Sequence, residues 1–209
     1  MKVMNSRLEQ IFSEKWSEIL DIYKTFVQSI GCTNVSENLI FSLVEIGVRF
    51  GERISKLRMS GFIEIGCGLA IPSLTLSKLG KANGTAIDID NKPLIYAEEI
   101  RKIVKCDLKF QCTDVFEKKP VLQKGELLVA EKPASYKNNI LEMEYKIRNH
   151  CTIEGFNLAL IPSYLGTDTI DSYSDRCAMY ANKFKQTGFK VENQQILETL
   201  PFRWLIAVR

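Results

Sequence analysis

The stretch Phe62 to Pro72 constrains this chain more than any other: a short apolar run, Phe62-Ile63-Glu64-Ile65, breaks into Gly66-Cys67-Gly68 and then into a helical pattern carrying Pro72. The expectation is strand, turn, helix. Lacking side chains, Gly66 and Gly68 let the backbone turn sharply and let a flat ligand lie against it, and Pro72 suits the first turn of a helix, where its missing N–H is not needed. Such a turn is a ligand cradle. Cys67 reads as a small residue filling the turn, with a reactive thiol as the alternative.

The flanking sequence shows what the cradle is built into. From Asn5 to Ile30, apolar residues recur at helical spacing (Leu8, Ile11, Phe12, Trp16, Ile19, Tyr23, Phe26, Ile30), and Gly31 stands where a C-terminal cap belongs, which predicts one long amphipathic helix. Thr33, Asn34 and Ser36 offer caps for a second helix that runs to about Leu57 and buries Leu39, Leu43, Phe50, Ile54 and Leu57. Arg49, Arg53, Lys56 and Arg58 crowd its C-terminal end, where the macrodipole favours positive charge; contact with an acidic substrate is the other reading.

Beyond the cradle helix, strands at Gly84 to Asp90, Leu108 to Cys112, Glu126 to Ala130 and Phe156 to Pro162 alternate with helices opening near Pro93, Asn138 and Asp171. Alternation of this kind implies a parallel sheet wrapped by helices. Phe189 to Leu197 and Phe202 to Val208 are separated only by Glu198 to Pro201, too short for a crossover helix, so these two runs must pair antiparallel. The expected fold is α/β: a seven-stranded, mostly parallel sheet with a C-terminal antiparallel hairpin, helices on both faces and two extra N-terminal helices. Residues 1–58 would be a helical extension packing on a ligand-binding core of residues 59–209.

With 209 residues, 45% of them hydrophobic, the chain can bury a real core, and a net charge of +3 supplies no general field for nucleic acid, leaving only a local basic patch open. No stretch approaches about 18 consecutive apolar residues, and Met1 to Arg7 lacks the apolar centre of a signal peptide, so a cytoplasmic protein without membrane contact is expected. The six cysteines (Cys32, Cys67, Cys106, Cys112, Cys151, Cys177) form no Cys-x-x-Cys pair and have one His to join them, so free thiols and no metal site are expected. Nothing in the sequence bears on oligomeric state.

Two cofactor classes use a glycine cradle. A dinucleotide seat wants Gly or Ala five positions after the first glycine, where Ile71 stands, and this bulky branched residue argues against a pyrophosphate. Acidic Glu64, two residues before Gly66, instead suits a cationic ligand. The pattern acidic residue, x, Gly, x, Gly formed by Glu64, Gly66 and Gly68 resembles motif I of the class I S-adenosylmethionine (SAM)-dependent methyltransferases. The expected sheet with its final hairpin is similar to that family's fold over roughly Met59 to Arg209.

The resemblance implies roles for particular residues. In open α/β sheets ligands lie at the carboxyl ends of the strands, so acids ending successive strands can converge. Asp88, 20 residues beyond Gly68, matches the family's acid that accepts hydrogen bonds from the ribose hydroxyls, and Asp114 matches the acid that receives the adenine amino group, with Val115 placed to touch the ring. Cys67 and Ile89 join Gly66 and Gly68 in the cofactor-binding set, and Glu64 would order the cradle beneath the methionine end. Plain alternatives exist for each acid. Asp114 would close a strand, Glu64 would pair with Arg or Lys of the N-terminal helices, and Asp90 reads as a helix cap rather than a ligand.

After the fourth strand, family members that methylate amino groups of nucleic acids and glutamine carry Asn or Asp, Pro, Pro, aromatic. Here the run is Glu131-Lys132-Pro133-Ala134-Ser135-Tyr136, sharing only Pro133 in kind, which argues against a base or amide acceptor. Glu131, as general base or anchor for a cationic amine, and Tyr136, as hydrogen-bond partner of the nucleophile or wall against water, are the catalytic candidates; either could instead orient the loop. His150, at the expected end of a helix, reads as a dipole partner. Tyr164, Tyr23 and Phe26 are lid candidates in apolar patterns more typical of core. The implied activity is methyl transfer from SAM to a small-molecule acceptor, an in-line displacement in which the protein chiefly supplies alignment. RNA or protein methylation, a SAM-responsive binding module, and attack of SAM on its own side chain are the alternatives.

Overall fold

A computed structural model describes residues 5–80, 83–115, 126–131, 140–154, 156–165 and 167–209. Its elements are α1 (Asn5–Phe12), a 3-10 turn (Ser13–Lys15), α2 (Trp16–Ser29), α3 (Glu37–Ile54), β1 (Gly61–Ile65), α4 (Ile71–Lys78), β2 (Asn83–Asp88), α5 (Asn91–Val104), β3 (Leu108–Cys112), β4 (Leu127–Glu131), α6 (Ile140–Glu154), β5 (Asn157–Ile161), α7 (Ile170–Gln186), β6 (Lys190–Leu197) and β7 (Leu200–Val208). Among the described residues the strands form one seven-stranded sheet in the order β3-β2-β1-β4-β5-β7-β6. The β1–β4, β2–β3 and β4–β5 pairs are parallel, and β7 pairs antiparallel with both β5 and β6, as the short connection before Phe202 required. No helix among the described residues is long and apolar enough to cross a membrane.

The chain divides into two compact units: Met1–Arg58 with Gly68–Asp114, and Met59–Cys67 with Val115–Arg209. In the first, α3 lies so close to α4 that a Cβ added at Gly51 would stand 2.7 Å from both the Pro72 carbonyl oxygen and the Thr75 Cβ. Helix α2 meets α5 through an edge contact between Phe26 and Tyr96, ring centroids 5.5 Å apart. In the second, β1, β4 and β5 are nearly continuous apolar runs, the pattern of strands covered on both faces. Tyr173, Cys177, Tyr180 and Phe184 of α7 are buried, and Phe184 packs edge-on against Phe189.

The expected single helix from Asn5 to Ile30 is broken. Ser13 takes φ +54, a left-handed conformation unusual for a residue with a Cβ, and the chain restarts at Trp16. The bend lets Leu8, Ile11 and Phe12 bury on one segment while Ile19 buries on the next. The end of α2 follows expectation: Gly31 at φ +89 donates to the Gln28 carbonyl and Cys32 to that of Val27, a Schellman closure. Ile30, expected inside, lies past the last helical turn and is 52% exposed. On α3, capped by Ser36 accepting from the Leu39 N–H, Phe50 and Ile54 are buried as expected, Leu43 and, just past the helix end, Leu57 are half-buried, Leu39 is 40% exposed, and Ile40 and Val44 complete the buried stripe.

Candidate functional site

The glycine turn is an alternation of left-handed residues: Gly66 at φ +63, Gly68 at +51 and Ala70 at +55. The first two need no side chain and tolerate the conformation; Ala70 takes it at a cost of about 1–2 kcal/mol and is buried at the N-cap of α4, with no side-chain cap. Ala70 carries no sequence signal for this conformation. A Cβ built on Gly68 meets nothing within 4 Å, so the backbone there borders open space. Pro72 sits in the first turn of α4, as its type predicts.

Asp88 ends β2 and holds this turn. Its Oδ2 accepts the Gly68 N–H at 2.8 Å, its Oδ1 accepts the Asp90 N–H at 3.0 Å, and its carbonyl oxygen accepts from Thr113 at 2.9 Å, which fastens the end of β2 to the end of β3. Asp90 is the N-cap of α5, its Oδ1 accepting the Lys92 N–H at 2.9 Å, in keeping with the cap reading. Between the two acids, Ile89 turns outward and is 53% exposed, while the Cys112 thiol donates to its carbonyl oxygen at 3.5 Å. Asp114 follows β3, partly buried, one residue beyond Thr113. The first unit therefore gathers Gly68, Asp88 and Ile89 beside the strand end that leads to Asp114.

The other expected site residues belong to the second unit. Glu64 is fully buried in β1, in register with Val129 of β4; Cys67 and Val115 are buried; Glu131 is the last residue of β4, partly exposed and in register with Ile161. In the order β3-β2-β1-β4-β5, β1 and β4 flank the point where the direction of winding reverses, the place where open α/β sheets take their ligands. Tyr136, with Lys132 to Ser135, lies outside the described residues.

His150 is not at a helix end. Helix α6 continues to Glu154, and the imidazole packs in its penultimate turn against Phe156, centroids 5.5 Å apart. Tyr164 is packed rather than free: its hydroxyl donates to the Asp168 carbonyl at 2.8 Å and its ring lies 5.3 Å from that of Tyr173.

Sequence reasoning missed a charged cluster in the second unit. The Glu144 carboxylate, 0% exposed, accepts from the Ser163 N–H at 2.7 Å, the Tyr180 hydroxyl at 2.7 Å and Arg176 Nη1 at 3.0 Å. Arg176 Nη2 also donates to Asp168 at 2.6 Å and to the Ser163 carbonyl at 2.7 Å, so the segment after β5 is tied to both α6 and α7. Burial, reinforced by the Glu144 charge, pushes the Tyr180 hydroxyl up to about 12, and the Arg148 guanidinium stacks 3.8 Å from its ring centroid. In the sequence Glu144, Arg148 and Arg176 look like ordinary helix-surface residues and Asp168 like a loop acid, because nothing local announces that α6 and α7 turn these charges toward each other.

No family model and no curated protein matches the chain. Solved structures do. Magnesium protoporphyrin IX methyltransferase from Synechocystis PCC 6803, with bound SAM, shares 16% identity over 90% of either chain at a TM-score of 0.60. An O-methyltransferase family protein from Burkholderia thailandensis shares 13% over 97% of this chain and 69% of that one, TM-score 0.59. The ribosomal protein L11 methylase of Lactobacillus delbrueckii subsp. bulgaricus shares 15% over 78% and 76%, TM-score 0.56. The fold of this chain is the class I methyltransferase fold.

Proposed function

We propose that this protein is a SAM-dependent methyltransferase acting on a small-molecule acceptor. The observation that carries the reading is the 2.8 Å hydrogen bond from the Gly68 N–H to Asp88 Oδ2, which joins the glycine turn to the acid at the end of β2 within this fold. The neighbourhood fits an adenosine: open space beside Gly68, a carboxylate with lone pairs left after its two backbone bonds, and an outward apolar side chain at Ile89. In this reading Gly66, Cys67 and Gly68 form the turn against which the cofactor lies, Asp88 receives the ribose hydroxyls, Ile89 and Val115 border the adenine, Asp114 receives its amino group, and buried Glu64 orders the turn from β1.

SAM when bound supplies the activated methyl group, so the chain's own task is alignment and removal of a proton. Glu131, at the carboxyl end of β4, is the residue we assign to the acceptor, as general base or as anchor for a cationic amine; Tyr136 is assigned beside it. The departure of Glu131 to Tyr136 from the Asn/Asp-Pro-Pro-aromatic pattern supports a small acceptor over a base or amide. Residues 1–58 are read as an extension shaped to that acceptor, and a cytoplasmic location goes with the reading.

Calorimetry with SAM and S-adenosylhomocysteine (SAH) tests the cofactor, and mass spectrometry of a metabolite extract incubated with protein and SAM identifies the methylated product. Absence of binding by either compound at millimolar concentration sinks the proposal.

A further inference from the structure

Within the first unit, a run of hydrogen bonds leads away from the glycine turn to a helix that precedes it by many residues. Gly68 N–H donates to Asp88 Oδ2 (2.8 Å), Asp90 N–H to Asp88 Oδ1 (3.0 Å), Lys92 N–H to Asp90 Oδ1 (2.9 Å), and the Lys92 ammonium closes the run by donating to the Ser29 carbonyl oxygen at 2.6 Å. Ser29 is the last residue of α2, so its carbonyl is one of those a helix leaves without an intrahelical partner, at the negative end of the macrodipole. An ammonium is the natural partner for it. Phe26 of α2 against Tyr96 of α5 supplies the apolar half of the same docking. Lys92 is the second residue of α5, whose N-cap is the residue that positions Asp88, and its own side chain is otherwise exposed.

We infer that Lys92 is a positioning residue that makes the end of α2 part of the cofactor site: seating of α2 on α5 and capture of an adenosine by Asp88 stabilise one another. The inference rests on the cofactor reading above. The physical link is that Asp88 can meet a ribose only with its carboxylate fixed, that this carboxylate is fixed on one side by the N–H of Asp90, the N-cap of α5, and that the first turn following this cap is tethered to α2 by Lys92. Two groups that order the same turn reduce each other's ordering cost, and reciprocity then requires the ligand to tighten α2 as much as α2 tightens the ligand.

The experiment uses the full chain, SAH as probe, and the variants Lys92→Met, which keeps the stem and loses the donor, and Lys92→Arg, which restores a cation. Expected by calorimetry is SAH binding about three- to tenfold weaker in Lys92→Met, tenfold being about 1.4 kcal/mol, with Lys92→Arg near the wild type. Expected by amide hydrogen exchange is a several-fold slowing at Ile30, Gly31 and Cys32, the amides that close α2, when SAH binds the wild type, and no such slowing in Lys92→Met. A purely structural tether changes exchange in free and bound protein alike and leaves the SAH-induced difference intact. Wild type that binds SAH without slowing those amides, or Lys92→Met that binds as tightly as wild type, overturns the coupling while sparing the cofactor reading. Wild type that does not bind SAH overturns both.

Discussion

The carboxylate of Asp88 accepts the amide proton of Gly68 at 2.8 Å, across 20 residues of sequence, and with its other oxygen accepts that of Asp90. One side chain thus joins the turn after β1 to the turn after β2. Removing it takes the carboxylate acceptor from both backbone donors, and Asp88→Ala is expected to lower stability by about 2 kcal/mol and SAH affinity by about a hundredfold, with Asp88→Asn in between because its single amide oxygen can serve only one of the two. Urea denaturation and calorimetry measure these separately. Wild-type affinity in Asp88→Ala would dismiss the role given to this acid.

Two glycines in the first unit are expected to fail in opposite ways. At Gly51 an added methyl meets the Pro72 carbonyl and Thr75 at 2.7 Å, so Gly51→Ala should push α3 from α4 and cost at least about 1 kcal/mol despite the gain in helix propensity. At Gly68 the methyl meets nothing, so Gly68→Ala should pay only for its left-handed backbone, about 1–2 kcal/mol, but should fill the space proposed for the cofactor and weaken SAH far more than it weakens the fold. Equal ratios of affinity loss to stability loss in the two variants would count against a ligand at Gly68.

Glu144 has no access to solvent and neutralises Arg176, whose guanidinium burial pulls down but Glu144 and Asp168 hold above its ordinary value. Removing this carboxylate takes the buried acceptor from Arg176 Nη1, the Tyr180 hydroxyl and the Ser163 N–H and leaves Asp168 as the guanidinium's counter-charge, so Glu144→Ala is expected to cost about 3–5 kcal/mol, Glu144→Gln less since it retains an acceptor. Chemical denaturation decides this. A loss within 1 kcal/mol of zero, on the order of a surface pair, would mean the cluster is hydrated.

Alkaline pH should lower the stability of the fold through two buried thiols. Burial pushes the Cys151 thiol up to about 12 and that of Cys177 up to about 11, against 9.0 for an ordinary thiol. From about pH 9 upward the unfolded chain loses these protons while the folded one keeps them. Stability is therefore whole below pH 9 and declines above it by up to about 1.4 kcal/mol per pH unit for each thiol, until the folded thiols ionise as well. Urea midpoints measured from pH 8 to 11 should fall along this course, and Cys151→Ala should flatten it. An unchanged slope in that variant would remove Cys151 from the account.

Helix and strand order, the final hairpin and the glycine turn were legible in the sequence because each is dictated locally, by apolar spacing, by the freedom of Gly66 and Gly68, and by a connection too short for a crossover. Asp90 as a cap and Gly31 as a helix stop belong to the same class, since a cap is satisfied within a few residues of itself. Tertiary structure alone decided the rest. Ser13 breaks a run whose periodicity is unbroken, Ala70 adopts a glycine's conformation, and Glu144, Arg176 and Asp168 meet in the interior although each sits in a segment that reads as surface. These outcomes depend on which faces of distant elements are pressed together and which polar groups must then find partners out of water, energies that no window of neighbouring residues contains. Asp88 spans both classes: its place at a strand end was readable, and the bond to Gly68 that gives the place meaning exists only once the chain has folded.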